Sequence, residues 1–261
     1  MKKRNEKAEF VLRTLLSECR AVPKELDIIS FEETDSTNKD AKAVAKDTAR
    51  DALFIAERQT AGRGRLGRSF SSDGGGLYMT LLLKRKMEPD DALKLTVTAA
   101  VCVARAVKKL CAIEVGIKWV NDIFLDGKKL AGILCEGACD EFGKITHAVL
   151  GIGLNIFPPS DEALSDIATA LSEHMEAVPS KELLAAFITE EIYLALGESF
   201  SDVLSEYKKH SVLIGRDVRV IKLSCEYSAR VLDIDDKGAL VLLLESGEIE
   251  HLGTGEVSVR L

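Results

Sequence analysis

The sequence predicts an α+β fold, a mixed and mainly antiparallel sheet with helices on one face, followed by a small closed β-barrel. Three observations carry that expectation. The β-type runs in residues 28–156 are joined by hairpin turns as well as by helices, the Asp126-Gly127 dipeptide marks the tightest of those turns, and after His210 helical spacing gives way to five short strands. The 261 residues correspond to one or two domains, ample for a core.

Residues 6–20 read as a short helix with Phe10, Leu12, Leu15 and Leu16 available to one face, stopped before Pro23. One helix leaves no room for a helix-turn-helix DNA reader, which needs a second. IISFEE is a strand, and a helix over residues 37–46 starts where Asp35, Ser36 and Thr37 offer capping oxygens. ALFIAE and LYMTLLLK are strands on either side of a glycine-rich segment. Pro89, Asp90 and Asp91 open a second helix, in which Leu93, Val97, Ala100, Val101, Ala104 and Val107 make a core-facing stripe. GIKWVNDIFLDG and KKLAGILCEG form a hairpin, and THAVLGIGLNI is a further strand ending near Pro158-Pro159. Residues 180–208 are helical with a break at Gly197. VRVIKL, YSARVLDI, ALVLLLE, IEHL and EVSVRL supply the terminal barrel. The expected units are a short helical segment over 1–25, a sheet domain over 26–210 and a barrel over 211–261.

Hydrophobic residues make up 46% and charged residues 30%, the balance of a folded globular chain. A net charge of −7 is the wrong sign for coating phosphate backbones, so any anion site is local. The longest near-apolar stretch, residues 95–104, falls short of the roughly 20 needed to span a bilayer. The basic residues 1–7 are not followed by the apolar segment of a secretory signal. Cys19, Cys102, Cys111, Cys135, Cys139 and Cys225 form no Cys-x-x-Cys pair, which suits reduced thiols in a cytoplasmic protein. Cys135 and Cys139 have no histidine nearby for zinc.

Four segments carry chemistry. QTAGRGRLGRSFSSDGGG holds six of the nineteen glycines together with Arg63, Arg65 and Arg68, and no acid before Asp73. Glycine lets backbone N–H groups crowd an anion, and guanidinium forks grip carboxylate or phosphate, so the segment reads as an anion-binding loop able to close. A solvated basic loop or a nucleic-acid arm uses the same residues, and the pattern is not GxxxxGK[ST]. KWVNDIFLDGKKLAGIL places Lys118, Asn121, Asp122 and Lys129 on a hairpin. A lysine there can neutralise a carboxylate and a phosphate together, and an aspartate can hold magnesium; ordinary turn composition accounts for these residues equally well. Ser36-Thr37-Asn38 can cap a helix or offer mixed donors and acceptors to a neutral urea or amide. GIGLN is an incomplete GxGxxG without a βαβ unit and does not indicate a dinucleotide site.

In this order, STN, QTAGRGRLGR, KWVNDIFLDGKKLAGIL and GIGLN, the chain resembles the biotin protein ligases from about Ile28 onward. The resemblance implies a catalytic domain similar to class II aminoacyl-tRNA synthetases and an SH3-like C-terminal barrel. It implies activation of biotin by MgATP to biotinyl-5′-adenylate, then transfer to a lysine of a biotin carboxyl carrier protein. Ser36, Thr37, Asn38 and Gln59 match positions lining the biotin pocket, and Arg63, Gly64 and Arg65 match the ligand-binding loop. Lys129 matches the lysine at biotin's carboxylate and the phosphate. Arg63, Arg65, Arg68, Phe70, Asn121, Asp122, Lys129, Gly132, Asn155, Glu256 and Arg260 match the nucleotide side. Lys129, Arg65 and Asp122 are the implied catalytic groups, with Asp122 toward Mg2+. Val120 stands where the family usually has proline, and Phe70 where some relatives have tryptophan. The matching region starts about 25 residues in, which implies the type without a DNA-binding domain and no specific DNA binding.

Two alternatives compete: a lipoate ligase with the same adenylating chemistry, and a nucleic-acid-binding regulator that uses the arginine loop. A loop that orders over an adenylate would exclude water, so residues 62–73 are expected to be mobile without ligand and protected with it. The sheet edge could pair two subunits into a homodimer or dock the carrier by strand addition.

Overall fold

Strands with one or both faces apolar assemble the main sheet. The computed structural model describes every residue except Met1, Asp90, Leu223, Ser224, residues 254–256 and Leu261, with the backbone alone for Val257–Arg260. Five helices, α1 (Glu6–Ser17), α2 (Thr37–Val44), α3 (Asp91–Cys111), α4 (Lys181–Ala195) and α5 (Phe200–His210), surround it. The sheet strands are β1 (Asp27–Thr34), β2 (Ala52–Gln59), β3 (Gly76–Leu83), β4 (Gly116–Lys118), β5 (Asp122–Leu125), β6 (Lys128–Cys139) and β7 (Ile145–Asn155). They lie in the order β1-β2-β3-β7-β6-β5-β4. β1 and β2 run parallel across α2, and the other neighbours pair antiparallel. A mixed, mainly antiparallel α+β sheet is therefore what forms.

GIKWVNDIFLDG, expected as one strand, is two. β4 and β5 fold back on each other with Lys118 opposite Asp122. Asn121 holds the reversal: its Nδ2 donates to Ile133 O at 2.9 Å and its own carbonyl accepts the Ile133 N–H. The β5–β6 turn is the expected one, with Asp126 and Gly127 at φ 49° and 79°, the left-handed pair that a tight hairpin turn requires.

The alternation of each strand divides the helices between the two faces. Leu53, Ile55, Leu81, Leu83, Leu150 and Ile152 pack in the large core with α1, α3 and α4. Phe54, Leu82 and Val149 point the opposite way and pack with Ala41 and Ala45 of α2 and its C-terminal end. The expected one-face placement thus holds for the long helices and not for α2. β3 is buried on both faces in consequence. In α1 the buried residues are Ala8, Leu12 and Leu16, one turn apart, while Phe10 is 73% exposed. Two residues from Leu12 is more than half a turn around the helix, so Phe10 cannot share that face. α3 is buried on most sides, including Thr96 and Thr98, whose hydroxyls bond back to Ala92 O and Lys94 O. Asp90, expected at its start, lies outside the described residues.

A second sheet follows α5. β8 (Asp217–Lys222), β9 (Glu226–Ile234), β10 (Leu240–Leu244), β11 (Ile249–Leu252) and β12 (Val257–Arg260) order as β11-β10-β9-β8-β12, all antiparallel. It joins the first sheet where Trp119 Nε1 donates to Gly238 O at 2.9 Å.

Three packed helices share one cation. Arg105 of α3 donates to Glu206 of α5 and to Glu198 between α4 and α5 at 2.7–3.1 Å, and lies 3.6 Å from Glu191 of α4. Burial raises the Glu191 pKa, whereas bonding to Arg105 holds that of Glu198 low. Removing the guanidinium leaves three carboxylates facing one another, so Arg105→Met should cost about 2–3 kcal/mol. Chemical denaturation checks this, and an unchanged midpoint would contradict it.

Candidate active site

α2 is only two turns long and covers part of its sheet face. Beyond its N-terminus three glycines thin out that face, Gly151 and Gly153 of β7 and Gly132 of β6, with Gly132 opposite Gly153. A cleft opens on this floor. A Cβ on Gly153 would lie 2.5 Å from the Phe70 ring, one on Gly132 3.1 Å from Lys129 Nζ, and one on Gly151 inside the Asn38 amide. Glycine at these positions lets three side chains lie flat against the sheet.

One end of the cleft is polar. Ser36 stands at the N-cap of α2 but its side chain caps nothing; Gln59 Oε1 accepts the Thr37 N–H at 2.9 Å and lies 3.1 Å from the Thr37 hydroxyl. Gln59 Nε2 donates to Ser72 Oγ at 3.0 Å. Capping by β2 leaves the Ser36 hydroxyl available to the cleft. Thr80 Oγ1 lies 2.7 Å from Thr37 Oγ1 and donates to Asn38 Oδ1 at 2.6 Å, and Asn38 Nδ2 donates to Glu136 Oε2 at 2.9 Å.

The other end is cationic. The glycine-rich loop folds as a small hairpin: Gly64 N–H donates to Arg68 O at 2.7 Å, Phe70 N–H to Gly62 O at 3.0 Å, and the chain reverses at Leu66 and Gly67, both at positive φ. This carries Arg65 across the cleft, where Nη1 donates to Asn121 Oδ1 at 3.1 Å. Burial lowers the Arg65 pKa from its ordinary value, Asp122 opposing the shift; a guanidinium remains charged regardless. Lys129 Nζ lies 2.7 Å from Asp122 Oδ1 and 6.0 Å from the centre of the Phe70 ring. The 2.7 Å contact lies off the hydrogen-bond direction, so buried Asp122 Oδ1 lacks an aligned donor. Asn121 and Asp122 are consecutive, and one turn therefore holds both cations.

Ser36, Thr37, Asn38, Gln59, Arg63, Gly64, Arg65, Phe70, Asn121, Lys129 and Gly132 all line the cleft. Arg63 is exposed at its mouth, and Arg68 is exposed and does not line it. Asp122 touches the cleft through Lys129. Asn155 is turned into the fold, its Nδ2 donating to Thr169 O at 3.0 Å, and so pins the segment after β7. Glu256 lies outside the described residues, and of Arg260 only the backbone in β12 is described. Sequence reasoning missed Thr80, Ser72, Leu134 and Glu136. The two-residue strand period was the available signal, since Gly132, Leu134 and Glu136 share a face of β6.

Asp122 is the one carboxylate here suited to a metal. Its unaligned anionic oxygen is the kind of hard donor that would hold a Mg2+ ion. Among the described residues no three His, Cys, Asp or Glu side chains converge to hold a metal alone.

A glycine-floored cleft with a polar end, a cationic end and an arginine loop over it defines a ligase of the kind that activates small carboxylic acids. Residues 30–155 match the biotin/lipoate A/B protein ligase family, and residues 213–260 match the biotin protein ligase C terminal domain. The bifunctional ligase/repressor BirA of Bacillus spizizenii is 32% identical over 234 residues, 85% of this chain and 69% of that protein. The biotin–[acetyl-CoA-carboxylase] ligase of Mycobacterium tuberculosis is 31% identical over 247 residues, 88% of this chain and 90% of that one. A solved biotin protein ligase from Aquifex aeolicus in complex with biotin and ATP superposes with a TM-score of 0.76 at 26% identity, over 90% of this chain and 98% of that chain. The chain belongs to the biotin protein ligase family.

The floor makes a direct prediction. Gly153→Ala should push the Phe70 ring off the sheet and loosen the loop it anchors, so trypsin cuts faster at Arg63, Arg65 and Arg68. Limited proteolysis beside a thermal melt checks this; an unchanged cleavage rate would show that Phe70 does not hold the loop.

Proposed function

We propose that this chain joins biotin to the α-phosphate of ATP and passes the biotinyl group to a lysine of a biotin carboxyl carrier domain. The observation that carries the reading is the polarity along one cleft. Asn38 and Thr80 sit at the level of Gly151, while Phe70 and Lys129 sit at the level of Gly153 and Gly132, two residues or about 7 Å further along the strands. Biotin carries a ureido group at one end and a carboxylate at the other, with an apolar stretch that Leu134 and Phe70 suit.

In the first step a biotin carboxylate oxygen attacks the α-phosphorus. The bond to the bridging oxygen breaks, and pyrophosphate leaves with the electron pair. Two anions must approach, and Lys129 and Arg65 offset their repulsion at the junction. Mg2+ held by Asp122 would supply further neutralisation of the phosphates. Gln59, Thr37, Asn38 and Ser36 orient the ureido end, so the carboxylate arrives positioned. Arg63, at the mouth, adds charge for the incoming nucleotide. In the second step the acceptor lysine's amine attacks the acyl carbonyl, AMP leaves and the amine loses a proton. The hairpin of the arginine loop keeps water from the anhydride between the steps.

β6 extends beyond its pairing with β5 through Glu136 to Cys139, and this half offers backbone groups to a carrier strand or a second copy. All six cysteines are free, which supports a reducing, cytoplasmic setting. No described helix is long and apolar enough to cross a membrane.

The test is mass spectrometry of a purified carrier domain incubated with the protein, MgATP and biotin, expected to gain one biotinyl group. Gain of a lipoyl group from lipoate instead, or salt-dependent nucleic-acid binding with no pyrophosphate release, would overturn the reading. Lys129→Ala and Arg65→Ala should each slow single-turnover pyrophosphate release about 100-fold, with Arg65→Ala also leaking adenylate into solution. Wild-type rates in either variant would remove that residue from the reaction. Biotin with ATP should protect residues 62–73 from protease; equal cleavage with and without them would rule out loop ordering.

A further inference from the structure

The polar end of the cleft is the inner part of a longer hydrogen-bonded chain, and its far end lies outside the cleft. Lys42 of α2 pairs with Glu136 Oε1 at 2.5 Å, and Glu136 Oε2 accepts Asn38 Nδ2 at 2.9 Å. From Asn38 the chain runs through Thr80 and Thr37 to Gln59 and Ser72. Neither Lys42 nor Glu136 lines the cleft, whereas Asn38 and Gln59 do.

Counting protons along this chain fixes its direction. An ionised carboxylate accepts only, so Glu136 compels Asn38 to turn its NH2 outward and its carbonyl oxygen inward. The Thr80 hydroxyl has one proton, which goes to Asn38 Oδ1. At the opposite end the Thr37 backbone N–H donates only, so Gln59 presents its oxygen to α2 and its NH2 to Ser72. Neither amide is free to flip. Asn38 Oδ1 uses one lone pair on Thr80 and keeps the other for the cleft, where it lies over the Gly151 backbone.

We propose that Glu136, held by Lys42, is a positioning residue that locks Asn38 as a hydrogen-bond acceptor and thereby selects ligands presenting an N–H at that point. This rests on the biotin reading, in which the ureido N–H is that donor. Glu136→Gln is nearly isosteric but can offer an NH2 of its own, so the Asn38 amide loses its enforced direction. A purely structural role for Glu136 would change stability without changing which ligand is preferred.

The experiment measures adenylate formation by the full chain with biotin and with a biotin analogue in which a ureido N–H is replaced by oxygen. For Glu136→Gln the KM for biotin should rise about five- to tenfold, with kcat changed less than twofold and preference for biotin over the analogue reduced by a similar factor. Glu136→Asp, which retains an acceptor-only group, should recover part of that preference. Lys42→Met keeps the carboxylate but releases the ion pair that holds it against Asn38, and should shift the preference in the same direction by a smaller factor, which serves if Glu136→Gln does not fold. Unchanged preference in both Glu136→Gln and Lys42→Met, or in Lys42→Met alone if the former is insoluble, overturns the proposal. Absence of biotinyl-adenylate in the wild-type protein would instead overturn the functional reading beneath it.

Discussion

Two like-charged reactants must meet where water is scarce, and the cleft depends on how the opposing cations are held in place. Asn121 and Asp122 do this from a single reversal between β4 and β5, one receiving Arg65 and the other Lys129. That reversal is itself braced from three sides. Asn121 bonds to Ile133 of β6, the buried Tyr207 hydroxyl of α5 donates to Val120 O at 3.1 Å, and Trp119 reaches Gly238 of the second sheet. An arginine and a long lysine lose little further freedom on meeting an anion if the groups that orient them are already rigid. The second sheet thus contributes to the site through Trp119.

Much of this was visible in the residues before the fold was known, for reasons that can be named. Asp126-Gly127 announced its turn because few pairs accept two left-handed residues. The stripe from Leu93 to Val107 announced α3 because its spacing is helical. The arginine loop stood out by composition, and cleft-lining residues from Ser36 to Lys129 came from local motifs. What was missed depends on tertiary context. The break at Trp119 is set by Asn121 bonding to a strand twelve residues away. The position of α2 on the opposite face follows from Ala41 and Ala45 meeting Phe54 and Val149, which no local pattern states. Ser36 looked like a helix cap because serine commonly is one; the cap comes instead from Gln59 on another strand. Glu136 went unnoticed because its partners are contributed by α2.

The glycines of GIGLN illustrate how a motif can be legible and its meaning not. Their spacing suggested an incomplete dinucleotide fingerprint. In the fold they alternate along β7 so that both face the cleft, and the space they leave is taken by Asn38 at one and Phe70 at the other. Room for those two side chains on the sheet surface is created here by removing side chains from the floor. Stability is drawn from elsewhere, from the mostly buried α3 and the opposite face of the sheet.

The most direct measurement is a crystal structure of this protein with a non-hydrolysable biotinyl-adenylate analogue. The account predicts Lys129 Nζ and the Arg65 guanidinium within about 3 Å of oxygens at the acyl–phosphate junction, with Asn121 and Asp122 still beside them. An analogue bound elsewhere, or both cations directed into solvent while it occupies the cleft, would contradict it.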